Sequence, residues 1–232
     1  MVEAFKIGMK GDELHTKLGG GIPRNALVLI EAPNGVGKSI LSQRFTYGAI
    51  VNNHAVSYIS SELSLIAFMN QMTSLNYDIK MPLITKQLKF VSLFPALANV
   101  NFKPNLMQNL LSSREIFDSN IIIIDTLSEL LMKDHMDLDE SFNLLSFFKK
   151  IVTQDKTIIF SIDPGAPESK FISLLRSVSD VYLRMEEREQ YGNKIKVLKV
   201  ERFSGATEEV EQEIAFNVKA GIGIVVELAS QS

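Results

Sequence analysis

Residues 32–39 read Ala-Pro-Asn-Gly-Val-Gly-Lys-Ser, set between an aliphatic run and a stretch of helical character. Their types and spacing suit the holding of phosphate. They follow the P-loop pattern G-x-x-x-x-G-K-[ST], except that Ala32 takes the first glycine position. Gly35 and Gly37 can adopt backbone conformations closed to other residues, so that successive N–H groups point into one concavity. Gly37 through Ile40 would form a helix start, where unpaired N–H groups and about half a positive charge favour an anion. Lys38 adds a point charge for β- and γ-phosphates, and the Ser39 hydroxyl is a ligand for Mg2+. With Asn34 and Val36 included, the predicted nucleotide-binding segment runs from Asn34 to Ile40. Ala32 is the smallest replacement for glycine, so close approach of the loop is expected to survive. An ordinary glycine turn before a helix is the plainer reading of the same letters.

A second chemical signal lies far away in sequence. Asp125 closes the run "NIIIID", and a carboxylate at the carboxyl edge of a parallel sheet can reach a metal. Ser39, Asp125 and two phosphate oxygens would suffice for Mg2+, which prefers oxygen ligands and keeps several waters. The alternative for Asp125 is a cap on the following helix. Cutting phosphate further requires a group that orients water. Glu62 in "YISSEL" is the candidate, against the alternative of an acidic residue in a helix's first turn. The histidines His15, His54 and His135 lack metal-ligand spacing.

The elements that must position these groups alternate along the chain. Strands are predicted at 26–32, 55–61, 88–94, 120–126 and 156–163. The first is a short continuous apolar run, as expected of a strand covered on both faces, and 120–126 is the most strongly β-branched segment. Helices are predicted for "KSILSQRFTYGAIVNN", "ELSLIAFMNQMTSL", "NLMQNLLSSREIFDS" and "LDESFNLLSFFKKIVTQ". Such alternation implies right-handed βαβ units and a parallel sheet. The segments "DVYLRMEER", "KIKVLKVERF", "EEVEQEIAFNV" and "GIGIVVELA" are strands with short turns, predicting an antiparallel extension. The expectation is one α/β domain over 1–232, with a mainly parallel sheet flanked by helices and that extension.

Composition bounds the partners. With 46% hydrophobic residues the chain can bury a sizeable core, and a net charge of −3 gives no global field for nucleic acid. Cysteine is absent, excluding disulfides and thiolate metal sites. No apolar run is long enough to span a membrane or serve as a signal peptide, so a cytoplasmic protein without membrane insertion is expected.

Together, "KLGGGIPRNALVLIEAPNGVGKSILSQRF", "AVSYISSE" and the ending "FNVKAGIGIVVE" resemble the RecA/KaiC-like ATPase superfamily, and within it the archaellum accessory ATP-binding family. The resemblance covers most of residues 7–228. It implies a RecA-like P-loop core, Mg-ATP binding and a homo-oligomeric ring, commonly a hexamer, with nucleotide near subunit borders. It also implies docking on a cytoplasmic motor ATPase and a membrane-linked scaffold protein, at the inner face of the membrane.

Two departures from the family pattern bear on hydrolysis. KaiC-like enzymes end the second strand with adjacent glutamates, whereas Leu63 follows Glu62 here. Thr126 likewise follows Asp125, and Glu129, one helical turn on, is expected to face solvent or a subunit edge. The family also places a Lys-x-Arg pair on a late strand as cations delivered to a neighbour. In "VLKVERFSG" Lys199 matches and Arg202 is displaced by one residue, a shift that in a regular strand sends a side chain to the opposite face. Tight binding with slow or negligible turnover is expected.

A recombination ATPase of the RecA/RadB kind would need basic mobile loops, yet "KDHMDLDE" is acidic and "DPGAPESK" nearly neutral. "FSGA" (203–206) has the letters of a polymerisation motif but lies among the C-terminal strands. Nucleic acid is therefore not the expected partner. A stand-alone autokinase would use Ser60, Ser61 or a nearby hydroxyl as acceptor.

Overall fold

The computed structural model describes residues 3–11, 13–93, 112–128, 137–165, 170–190 and 192–227. Glu129 and residues 105–111 of the helix expected over 105–119 lie outside the described residues. So do the first half of the acidic segment, the middle of the near-neutral one and the chain end from 228.

The five predicted segments form strands β3 (Ala26–Glu31), β4 (Val56–Ser60), β5 (Leu88–Ser92), β6 (Ile121–Asp125) and β7 (Thr157–Ile162). They follow a short antiparallel pair, β1 (Ala4–Phe5) and β2 (Ile22–Pro23). In β3, β4, β6 and β7 every residue is buried, as sheets covered on both faces require. Each fully buried isoleucine of Ile121–Ile124 contributes about 1.5–3 kcal/mol relative to exposure. The edge strand β5 is only half-buried beyond Leu88.

The large sheet continues with β8 (Val181–Gln190), β9 (Asn193–Phe203), β10 (Glu213–Lys219) and β11 (Gly223–Val226), in the order β11-β10-β9-β8-β3-β7-β6-β4-β5. Strand β8 is the junction. It runs parallel to β3 on one side and antiparallel to β9 on the other, so the antiparallel extension begins one strand later than the sequence suggested.

Helices α2 (Lys38–Val51), α3 (Leu65–Ser74) and α4 (Lys80–Ile84) cover one face, after a short α1 (Leu14–Lys17). Helices α5 (Leu138–Val152) and α6 (Lys170–Val178) cover the other. Local chemistry fixes their starts. Asp137 Oδ1 accepts from Glu140 N at 2.8 Å while Glu140 Oε2 accepts from Asp137 N at 3.0 Å, a reciprocal cap on α5. Ser64 caps α3 by accepting from Ala67 N at 3.2 Å. On α2, the backbone O of Ile7 would lie 2.4 Å from a Cβ at Gly48, so glycine there permits the N-terminal segment to press against the helix. Arg44, fully buried beside it, donates to Ile7 O at 2.7 Å.

Candidate functional site

Strand β3 delivers the chain to the loop, and α2 leaves it. Gly35 has φ 81° and Gly37 φ 117°, left-handed values that exclude most other residues. A Cβ at Gly35 would meet nothing within 4 Å, so backbone conformation rather than space demands that glycine. Ala32 has no such positive φ and is fully buried, which explains why alanine is accepted at the first position. Asn34 and Gly35 are exposed, Val36 and Lys38 buried, and Gly37, Ser39 and Ile40 half-buried. Lys38 bridges back across the loop, its Nζ donating to Asn34 Oδ1 at 2.6 Å. Lys196 of β9 also reaches the loop, 3.4 Å from the backbone O of Gly35.

Asp125 stands at the same carboxyl edge, two strands from β3, and α2 packs against its strand. Its carboxylate is buried and held at both oxygens. Tyr58 donates to Oδ2 at 2.7 Å and Ser161 to Oδ1 at 2.6 Å. Ser161 Oγ in turn accepts from Thr126 N at 2.7 Å, and Thr126 turns the chain through φ 59°. The alternative role for Asp125, capping the next helix, is not what these bonds do. Burial first, then the neighbouring Asp125 carboxylate, pushes the Tyr58 hydroxyl well above its ordinary pKa, so it acts as a donor.

These groups fit magnesium. Ser39 and Asp125 are an all-oxygen pair beside a phosphate loop, and Mg2+ needs only one or two protein ligands in addition to phosphates and waters. Among the described residues no cluster of three His, Asp or Glu side chains forms a larger cage. Bound there, the ion would neutralise charge on the β- and γ-phosphate oxygens.

Glu62 lies in the turn between β4 and α3, before the Ser64 cap, and is half-exposed. It is therefore outside the first turn of the helix. Ser60, paired with Asp125 across the strands, puts Glu62 two residues beyond the row of Asp125. Ser60 and Ser61 are both buried. Ser60 Oγ accepts from Leu63 N at 3.0 Å, and Ser61 Oγ donates to Thr126 O at 3.2 Å.

The late strand corrects one inference. Arg184 pairs with Lys199, Leu183 with Val200 and Tyr182 with Arg202, so Glu201 is a β-bulge. Because Tyr182 and Arg184 share a face, Lys199 and Arg202 share one too; the expected flip does not occur. Their surroundings differ. Lys199 sits 3.3 Å from Glu186 and 3.8 Å from Glu213. Arg202 Nη1 donates to the carbonyls of Arg176, Ser177 and Ser179 at 3.2, 3.2 and 2.8 Å, closing the end of α6.

One buried cluster gave no local sequence signal. Glu31, the last residue of β3, takes a two-pronged ion pair from Arg176, with both contacts at 2.9 Å, and a 2.6 Å bond from the Tyr182 hydroxyl. Burial alone would raise the Glu31 pKa, but Arg176 and Tyr182 outweigh it and hold the carboxyl below its usual range. Tyr182 is pushed up to about 12, by burial and then by Glu31.

A family model described as "ATPase: KaiC" matches residues 6–230. The chain belongs to the KaiC ATPase family. Among KaiC-family relatives, an "Archaeal flagellar ATP-binding protein FlaH" of Methanocaldococcus jannaschii is 30% identical over 230 residues, covering 99% of this chain and 98% of its own length. The protein of that name from Methanococcus voltae is 31% identical, with 97% of each chain covered. The crystal structure of the "flagellar accessory protein FlaH" of M. jannaschii superposes with a TM-score of 0.91, covering 98% of this chain and all (100%) of that one. A KaiC-like protein of Pyrococcus horikoshii OT3, 15% identical, shares the fold at a TM-score of 0.77 over 98% of this chain and 100% of its own. Among the described residues, no helix of this KaiC-family chain is long and apolar enough to cross a membrane.

Proposed function

We propose that the chain, acting as one unit over 1–232, binds Mg-ATP and serves as a nucleotide-dependent regulatory or assembly subunit of the archaellum motor complex, with slow or negligible hydrolysis. The observation that carries the binding reading is the constellation at one sheet edge: Gly35 and Gly37 in left-handed conformations, buried Lys38, and buried Asp125 with both oxygens held. Gly35, Gly37 and the start of α2 supply N–H groups for phosphate oxygens. Lys38 supplies a charge, and Ser39 with Asp125 would hold the magnesium ion.

Slow turnover is supported by what the water-orienting and cationic groups are doing. Glu62 is a single carboxylate followed by Leu63, and Arg202 is committed to three carbonyls of its own chain. Removal of such a cation costs about 10³–10⁵ in rate where a ring depends on it. Lys199, half-exposed on the extension, remains the residue to deliver charge to a neighbouring copy in a ring, a hexamer of the kind the family resemblance implies. The archaellum role, with a motor ATPase and a membrane-linked scaffold as partners on the cytoplasmic side, is supported by likeness to the FlaH proteins over nearly their full length. The autokinase alternative is disfavoured by Ser60 and Ser61, whose buried hydroxyls are engaged with backbone.

Calorimetry with Mg-ATP and Mg-GTP, accompanied by product analysis, tests the proposal. Expected are saturable ATP binding with preference over GTP and little ADP formed over hours. Turnover at the rates of ordinary motor ATPases, or no binding, overturns it.

A further inference from the structure

Tyr58 occupies a position where its own chemistry needs explaining. It is fully buried in the middle of β4, and its ring packs against Phe68 at 4.7 Å and Phe90 at 6.0 Å between centroids. A phenylalanine would fill the same aromatic stack without bringing a hydroxyl out of water, which is unfavourable unless the group is bonded. The hydroxyl is bonded, and its partner is the Asp125 carboxylate. Ser161, also fully buried, takes the other oxygen from the far side, on β7. Asp125 thus receives one donor from each strand flanking its own.

An aspartate's terminal torsion is otherwise broad and roughly two-fold, so an unrestrained carboxylate swings. Two short hydrogen bonds to an anion, on opposite oxygens, fix its plane. An ionised carboxylate has about four lone-pair sites, and two donors leave the others available to a cation. Magnesium demands near-ideal octahedral geometry, whereas calcium accepts variable geometry, so magnesium gains more from a carboxylate set in advance. The network continues away from the site. Gln43, fully buried on α2 beside the Tyr58 hydroxyl, donates to Gln71 Oε1 on α3 at 2.6 Å. The Tyr58 hydroxyl is thereby bounded by α2 on the helix side while it holds Asp125.

We propose that Tyr58 and Ser161 are positioning residues for the magnesium carboxylate: by fixing both oxygens of Asp125 before nucleotide arrives, they set the affinity for the ion and the preference for magnesium over calcium. This rests on the reading of Asp125 as the metal carboxylate, and the test separates the two.

Binding of a fluorescent ATP analogue to the full chain is titrated with Mg2+ and with Ca2+. The variants are Tyr58→Phe, Ser161→Ala, Asp125→Asn and Ser57→Ala. Ser57 is a control on the same strand; its hydroxyl shares a buried 2.9 Å bond with Ser119 and makes none to Asp125. Tyr58→Phe and Ser161→Ala are expected to raise the half-saturating Mg2+ concentration about 10-fold or more, as loss of a ligand's supporting partner does. The Ca2+ midpoint is expected to move less, and nucleotide affinity without divalent ion to stay unchanged. Ser57→Ala should match the unsubstituted chain, and Asp125→Asn should lose most of the Mg2+ enhancement. If Asp125→Asn keeps it, or the unsubstituted chain shows none, the metal reading falls and the proposal with it. If Asp125→Asn loses it while Tyr58→Phe and Ser161→Ala titrate normally, the proposal alone is overturned. A shift in Ser57→Ala equal to that in Tyr58→Phe also overturns it, because general loosening would then explain both.

Discussion

The carboxyl edge of the parallel core and the outer face of the antiparallel extension both carry charge, but they handle it differently. At the core edge, Lys38, Asp125 and Glu31 are at least 95% buried, and each is gripped by side chains of its own chain. On the extension, half-exposed Lys199, Glu186 and Arg188 and exposed Glu213 are paired with one another across β8, β9 and β10. Burial makes the first set rigid and expensive to alter. Solvent makes the second set cheap and exchangeable. The contrast teaches that the geometry of the loop and of Asp125 is set within the single chain. The pairs of the extension are open to solvent and could be exchanged for others.

The strongest challenge to this contrast is Lys38→Ala. Loss of a charged hydrogen bond of about 3 kcal/mol is expected to weaken ATP binding about 100-fold, measured by calorimetry. Next comes Arg176→Ala, which leaves the Glu31 carboxylate buried without its cation. It is expected to cost about 3 kcal/mol in urea denaturation. The same pair sets an acid limit. Because the folded pKa of Glu31 lies below its unfolded value, its stabilisation is complete above that unfolded value, near pH 4.5, and is lost as pH falls towards the folded pKa. Glu31→Gln should flatten that part of the stability–pH curve.

Arg202→Ala tests the boundary between the two regions. If closing α6 is its task, the chain should lose about 1–2 kcal/mol of stability in isolation. An arginine serving only a neighbour would leave it unchanged. The smallest effect is expected from Lys199→Ala: less than about 0.5 kcal/mol in stability and unchanged ATP affinity. Any fall in hydrolysis it causes should appear only at protein concentrations where copies associate, measured by activity against concentration.

Much of the core edge was legible in the letters. Parallel strands covered on both faces must be apolar throughout, so "ALVLIEA" and "NIIIIDT" announced both themselves and the residues that leave them. The loop was legible because its glycines, lysine and serine are neighbours in sequence. What escaped reading was everything set by pairing between distant strands. Tyr58 and Ser161 lie 67 and 36 residues from Asp125, and Arg176 lies 145 from Glu31. No periodicity within one element marks such partners. The arginine at 44 was missed for a related reason, since an N-terminal segment that brings a carbonyl to it is invisible in the helix's own pattern.

Glu201 shows how letter counts and spatial agreement can part company. In a flat ribbon, two cations with one residue between them look the same way, whereas with two between them they look opposite ways. An unpaired residue among those two takes up the extra position and brings the second pattern back into line with the first. Proteins that space such a pair differently can therefore present matching surfaces to a common neighbour, and gaps in an alignment here are better judged by ladder partners than by position.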